Sequence, residues 1–79
     1  MLESIIKARL NFKSTRDELE KLLGIDVNSV DTFKTVKFLK KFNCLSDDNK
    51  KAVLQTIGGK VNLKQTREYI NEKIIHIYS

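Results

Sequence analysis

The sequence predicts an all-α protein: a compact bundle of about five short helices containing a helix-turn-helix. Three observations lead there. The 79 residues include no proline and only three glycines. Apolar residues return at spacings of three and four along most of the chain. The breaks in that rhythm fall at Ser, Thr, Asp, Asn or Gly, the residue types that start and stop helices. A chain of 79 residues holds one domain, residues 1–79, with one small core. Its 41% hydrophobic and 32% charged residues suit a globule, since disordered chains are poorer in apolar side chains.

Each element follows from its residues. Leu2, Ile5, Ile6 and Leu10 predict a first helix over residues 2–11. Ser14 or Thr15 caps a second, with Asp17 or Glu18 three residues later completing a capping box. Leu19, Leu22 and Leu23 form its inner face, and Gly24 supplies the left-handed stop. Asp26 then caps a third helix over 27–42, with Val27, Val30, Phe33, Val36, Phe38, Leu39 and Phe42 inward. Its outer face carries Asn28, Ser29, Asp31, Thr32, Thr35, Lys37, Lys40 and Lys41. Ser46 opens a fourth helix with Asp47 and Asp48 in the first turn, burying Ala52, Val53, Leu54 and Ile57 until Gly58-Gly59 ends it. Asn62 caps a fifth with Gln65 three residues on, burying Leu63, Thr66, Ile70, Ile74 and Ile77. The tail KIIHIYS suits either helix or strand, and helix is the preferred reading.

Several function classes drop out on composition. No apolar run approaches the ~20 residues that cross a bilayer, and MLESIIKARL has neither the apolar core nor the cleavage site of a signal peptide, so a cytoplasmic protein is expected. Cys44 is the only cysteine, which excludes an internal disulfide and a thiolate metal cluster. It follows an aromatic residue and an asparagine and precedes a leucine, and it reads as a small buried hydrophobe. His76, the only imidazole, reads as a solvent-facing residue near a helix end. A Cys–His nucleophile pair would need these two, 32 residues apart, to meet beside a third orienting group. The acidic pairs Asp17-Glu18 and Asp47-Asp48 are explained by capping. Gly58-Gly59-Lys60 lacks the upstream glycine and following Ser/Thr of a phosphate loop. No enzyme, metal or cofactor is expected.

The informative spacing lies around Gly24. A helix-turn-helix wants glycine at the ninth place of the unit and apolar residues at the fourth, eighth, tenth, fifteenth and eighteenth. Placing Gly24 ninth puts Leu19, Leu23, Ile25, Val30 and Phe33 at those positions. The fifth place, usually small, holds Glu20. In such a unit the third helix enters the major groove. Asn28, Ser29, Thr32 and Thr35 are then candidate base readers, and Lys34, Lys37, Lys40 and Lys41 candidate phosphate contacts. The net charge of +5 is concentrated there: residues 34–60 hold seven Lys against two Asp, whereas residues 1–33 hold five basic and six acidic residues.

The stretch STRDELEKLLGIDVNSVDTFKTVKFLKKFNCLSDDNKKAVLQTIGGKVNLKQTREYI, residues 14–70, resembles in segment order the central DNA-binding region of ParB-type partition proteins. The counterparts are the helix-turn-helix DELEKLLGIDVNSV, the leucine-bearing KFLKKF, the Leu-Ser opening LSDD and the motif NLKQTREYI. The resemblance implies a bare helical module for double-stranded DNA, a transcriptional regulator or partition-type factor. The family's nucleotide-binding and dimerisation regions have no counterpart in these 79 residues, so CTP binding is not implied. A possible homodimer is expected to use Ile74, Ile75, Ile77 and Tyr78 of the fifth helix. The alternative is a phage- or plasmid-encoded protein-binding module, an inhibitor, antitoxin or immunity protein, with a hot spot among Phe12, Phe33, Phe38, Phe42, Tyr69 and Tyr78.

The predicted core gives a first test. Leu23→Ala should lower unfolding free energy by about 2–5 kcal/mol in a denaturant titration. A change within error would place Leu23 at the surface.

Overall fold

The computed structural model describes the backbone of residues 2–78 and the side chains of residues 2–73. Five α-helices pack together: α1 (Leu2–Leu10), α2 (Lys13–Leu23), α3 (Val36–Asn43), α4 (Asp47–Gly58) and α5 (Leu63–Tyr78). Two short 3-10 turns, Val30–Lys34 and Lys60–Asn62, complete the order. The described residues contain no strand and no helix long and apolar enough to cross a membrane.

Helix α1 turns Ile6 and Leu10 inward and leaves Ile5 exposed. It hands over directly to α2, which begins at Lys13 with Phe12 at the cap position and no side-chain cap. Ser14 and Thr15, the expected caps, lie inside the first turn instead. The junction is closed from below, where Arg16 Nη1 donates to the Leu10 carbonyl at 2.8 Å and satisfies one of the carbonyls orphaned at the end of α1. Arg9 Nε donates to the Thr56 carbonyl at 3.1 Å and ties α1 to α4. Gly24 ends α2 in the left-handed region at φ 73°, its N–H donating to the Glu20 carbonyl at 2.7 Å. That is the stop expected of it.

The expected continuous helix over 27–42 is not formed. The chain after Gly24 forms neither helix nor strand as far as Asn28, with Ile25 and Val27 buried and Asp26 and Asn28 exposed, an alternation of period two. The 3-10 turn Val30–Lys34 follows, then a break at Thr35 (φ −97°, ψ 148°), and only then the eight residues of α3. Asp26 caps nothing. Local side-chain bonding explains the outcome, because Asn, Asp, Ser and Thr offer the backbone partners that compete with a helix. Ser29 Oγ accepts from the Asp31 N–H at 3.2 Å, and Thr35 Oγ1 accepts from the Phe38 N–H at 3.1 Å while donating to the Thr32 carbonyl at 2.7 Å.

Helix α4 opens as expected, with Ser46 Oγ accepting from the Asn49 N–H at 3.2 Å, and it ends at the Gly58-Gly59 pair. Asn62 does not cap α5; its Nδ2 donates to the Gly58 carbonyl at 3.0 Å and so covers the end of α4. The five apolar positions of the Gly24-centred unit are all buried: Leu19, Leu23, Ile25, Val30 and Phe33. Glu20 points to solvent, so its length costs no packing. Val36 departs from expectation and is exposed, and the side chains of Ile74 and Ile77 lie outside the described residues.

Phe33 stands at the centre of the core. Its ring meets Phe38 edge-on at 5.1 Å and Tyr69 edge-on at 6.4 Å, and Phe38 stacks on Phe42 at 5.6 Å. Edge-to-face pairs of this kind add about 0.5–1.5 kcal/mol beyond the area they bury. Burial, followed by the charges of Glu3 and Asp31, raises the Tyr69 phenol above its ordinary pKa.

Helices α4 and α5 pack tightly at Gly58, where a Cβ would land on Thr66 Oγ1 and come within 3.1 Å of Thr66 Cβ. Gly58→Ala should therefore destabilise by about 1–3 kcal/mol in urea. The penalty should shrink in a Thr66→Ala background, as expected for two residues in contact. Equal penalties in both backgrounds would locate the strain elsewhere.

Candidate nucleic-acid interface

Helix α3 owes its orientation to its inner face. Phe38, Leu39 and Phe42 are buried, which commits one side of the helix to the core. Lys37, Lys40 and Lys41 occupy the opposite side at spacings of three and four, so they share one face and are all exposed. Val36 and Cys44 flank them on the same outer surface. Cys44 is thus not the small buried hydrophobe expected; it ends α3, its N–H reaching the Lys40 and Lys41 carbonyls at 3.2 Å.

The eight sequence-predicted contact residues divide into two groups. Lys34, Lys37, Lys40 and Lys41 come together at and just before α3, all exposed. Lys34 Nζ sits 3.6 Å from Asp31 Oδ1, so Asp31 is partly neutralised by its own neighbour. Among the described residues Lys37, Lys40 and Lys41 form no ion pair. Their charge faces solvent uncompensated.

The four candidate readers do not share a helix with those lysines' face. Asn28 lies in the irregular link after Gly24, its Nδ2 3.5 Å from Asp26 Oδ2, and with Ser29 it lines a shallow groove against Lys7 of α1 and Asn11 just beyond it. Ser29 and Thr35 have their hydroxyls engaged as caps, and Thr32, half-buried, contributes its carbonyl to the Thr35 cap. The reading surface expected at the start of a long third helix is therefore replaced by capping chemistry. What remains is a short helix presenting cations.

A second set of cations adjoins it. Phe42 and Asn43 at the end of α3, Lys50 and Lys51 on α4, and Arg67 and Asn71 on α5 line one groove of about 610 Å³, with Leu54 and Ile70 at its floor. Asp47 and Asp48, in the first turn of α4, line it as well. Lys50 and Lys51 belonged to the basic stretch visible in the sequence. Arg67, Asn43 and Asn71 gave no signal there, because only folding brings α5 alongside α4. Among the described residues no three metal-ligating side chains come together. The side chains of the expected dimer surface, Ile74 to Tyr78, and of His76 lie outside the described residues.

Comparison with known proteins supplies no relative: no family model, no curated protein and no solved structure matches the chain.

The caps make a testable distinction. Thr35→Ala should cost about 0.5–2 kcal/mol of stability and Thr35→Ser much less, read from denaturant midpoints. Unchanged stability in Thr35→Ala would return the hydroxyl to the list of candidate DNA contacts.

Proposed function

We propose that this protein binds double-stranded DNA through the outer face of α3, as a small regulator or partition-type factor whose affinity comes mainly from phosphate contacts. The observation that carries the reading is the exposed, unpaired trio Lys37, Lys40 and Lys41 on a helix held outward by a buried aromatic face. An α-helix with its side chains is about 10–12 Å across, which the major groove, about 12 Å wide, admits. The segment order resembling the ParB-type DNA-binding region agrees with such a module, although the helix after Gly24 is divided here. With the four candidate readers removed from that face, sequence preference is expected to be modest. Phosphate contacts position a protein on the duplex, whereas base-edge contacts specify a site.

The protein-binding alternative would draw on an exposed apolar surface. Among the described residues the large apolar side chains left exposed, Ile5, Phe12, Val36 and Val61, come from four separate stretches of sequence. Of the six aromatic candidates for a hot spot, Phe33, Phe38, Phe42 and Tyr69 are core residues. Phe12 is exposed, and the side chain of Tyr78 lies outside the described residues. The charged face therefore favours the nucleic-acid reading.

Fluorescence polarisation with mixed-sequence duplexes at about 50 mM salt tests it. The unmodified protein should bind, with log affinity falling by roughly three per decade of salt from the α3 lysines alone. Lys37→Glu with Lys40→Glu should abolish binding while the circular dichroism spectrum and melting temperature stay in place. An unmodified protein that fails to bind duplex at low salt overturns the proposal.

A further inference from the structure

We infer that the groove lined by Asn43, Lys50, Lys51, Arg67 and Asn71 is a second contact for the same duplex, taking the sugar-phosphate backbone beside α3. This rests on the α3 reading and extends it. Phe42 and Asn43, the last two residues of α3, line the groove, so it adjoins the C-terminal end of that helix. Its walls supply three cations and two amide side chains, the donor types that meet phosphate and sugar oxygens. Among the described residues none of the three cations forms an ion pair, although Asp47 stands at helical spacing from both Lys50 and Lys51.

The chemistry of the groove selects duplex over single strands. Capture of unstacked bases uses open aromatic plates. The one aromatic side chain here, Phe42, is buried and stacked on Phe38. Asp47 and Asp48, in the first turn of α4 and a few residues after Asn43, line the groove too and oppose a polyanion there. They also provide the test, since removing them should strengthen binding, a result that unfolding cannot imitate.

The control lies on the other flank of α5. Glu68 and Glu72 line a separate groove with Glu3 and Tyr69, away from Arg67 and Asn71. Asp47→Asn with Asp48→Asn and Glu68→Gln with Glu72→Gln remove the same formal charge at different places. At about 0.1 M salt the screening length is roughly 10 Å, short against the 30 × 26 × 22 Å dimensions of the molecule.

The experiment measures duplex affinity of the whole protein and both variants by polarisation across a salt series. The Asp47/Asp48 variant should bind about threefold or more tightly, as expected for removing nearby like charge, and the Glu68/Glu72 variant should change much less. Lys50→Gln with Arg67→Gln should reduce the salt slope by about two. Equal tightening by the two acid-to-amide variants, or an unchanged salt slope, overturns the groove while leaving the α3 reading intact. Failure of the unmodified protein to bind takes down both.

Discussion

The arrangement depends on Phe33. It sits on a 3-10 turn of five residues, fully buried, with its ring against Phe38 of α3 and Tyr69 of α5. A helix of eight residues is too short to persist in water on its own propensity, because the cost of nucleation is spread over few hydrogen bonds. Helix α3 exists because Phe38, Leu39 and Phe42 have somewhere to go, and Phe33 forms much of that place. The outward display of Lys37, Lys40 and Lys41 is a consequence of this inward anchoring. A ring that fixes one side of the helix fixes the other.

That display carries a local cost. Lysines three and four residues apart on one face repel by a few tenths of a kcal/mol per pair, and no described carboxylate offsets them. Elsewhere the chain does use such offsets: Lys13 pairs with Asp17 at 3.5 Å and Lys34 with Asp31 at 3.6 Å. Both pairs are exposed and contribute little stability. The contrast is informative because α3 is short enough for small terms to matter. Its charge is tolerated because burial of Phe38, Leu39 and Phe42 outweighs the repulsion.

Much of the fold was legible because it follows from local chemistry. Ser46 before two aspartates, Gly24 after two leucines and the paired glycines at 58 and 59 each act on their own neighbourhood, so spacing alone locates them. The segment after Gly24 departs from the helix that its spacing predicts because two periods coexist there. Val27, Val30 and Phe33 recur at three-residue steps, while Ile25 and Val27 alternate with Asp26 and Asn28. Side-chain caps at Ser29 and Thr35 decided the contest, and their bonds span only two or three residues. The signal was present, but helical periodicity overrode it. Cys44 turned outward for a related reason: the helix ended one residue before it, and its apolar character could not be traded for a place in the core. Arg67 is a different case, since nothing local links it to Lys50.

The two flanks of α5 differ in charge, and that difference bears on how a polyanion would approach. Arg67 and Asn71 face the groove that adjoins the end of α3, whereas Glu68 and Glu72 face the groove shared with Glu3. A uniformly basic molecule of this size would meet a duplex in any orientation and bind without register. Here the charge is unevenly placed among the described residues: the unpaired Lys37, Lys40 and Lys41 gather on α3, α4 mixes Lys50 and Lys51 with Asp47 and Asp48, and Glu68 and Glu72 share one groove with Glu3. Such asymmetry orients diffusional encounter before any contact forms. It also explains why the net charge of +5 alone would mislead: the excess is modest, and what distinguishes this surface is where the fold places it.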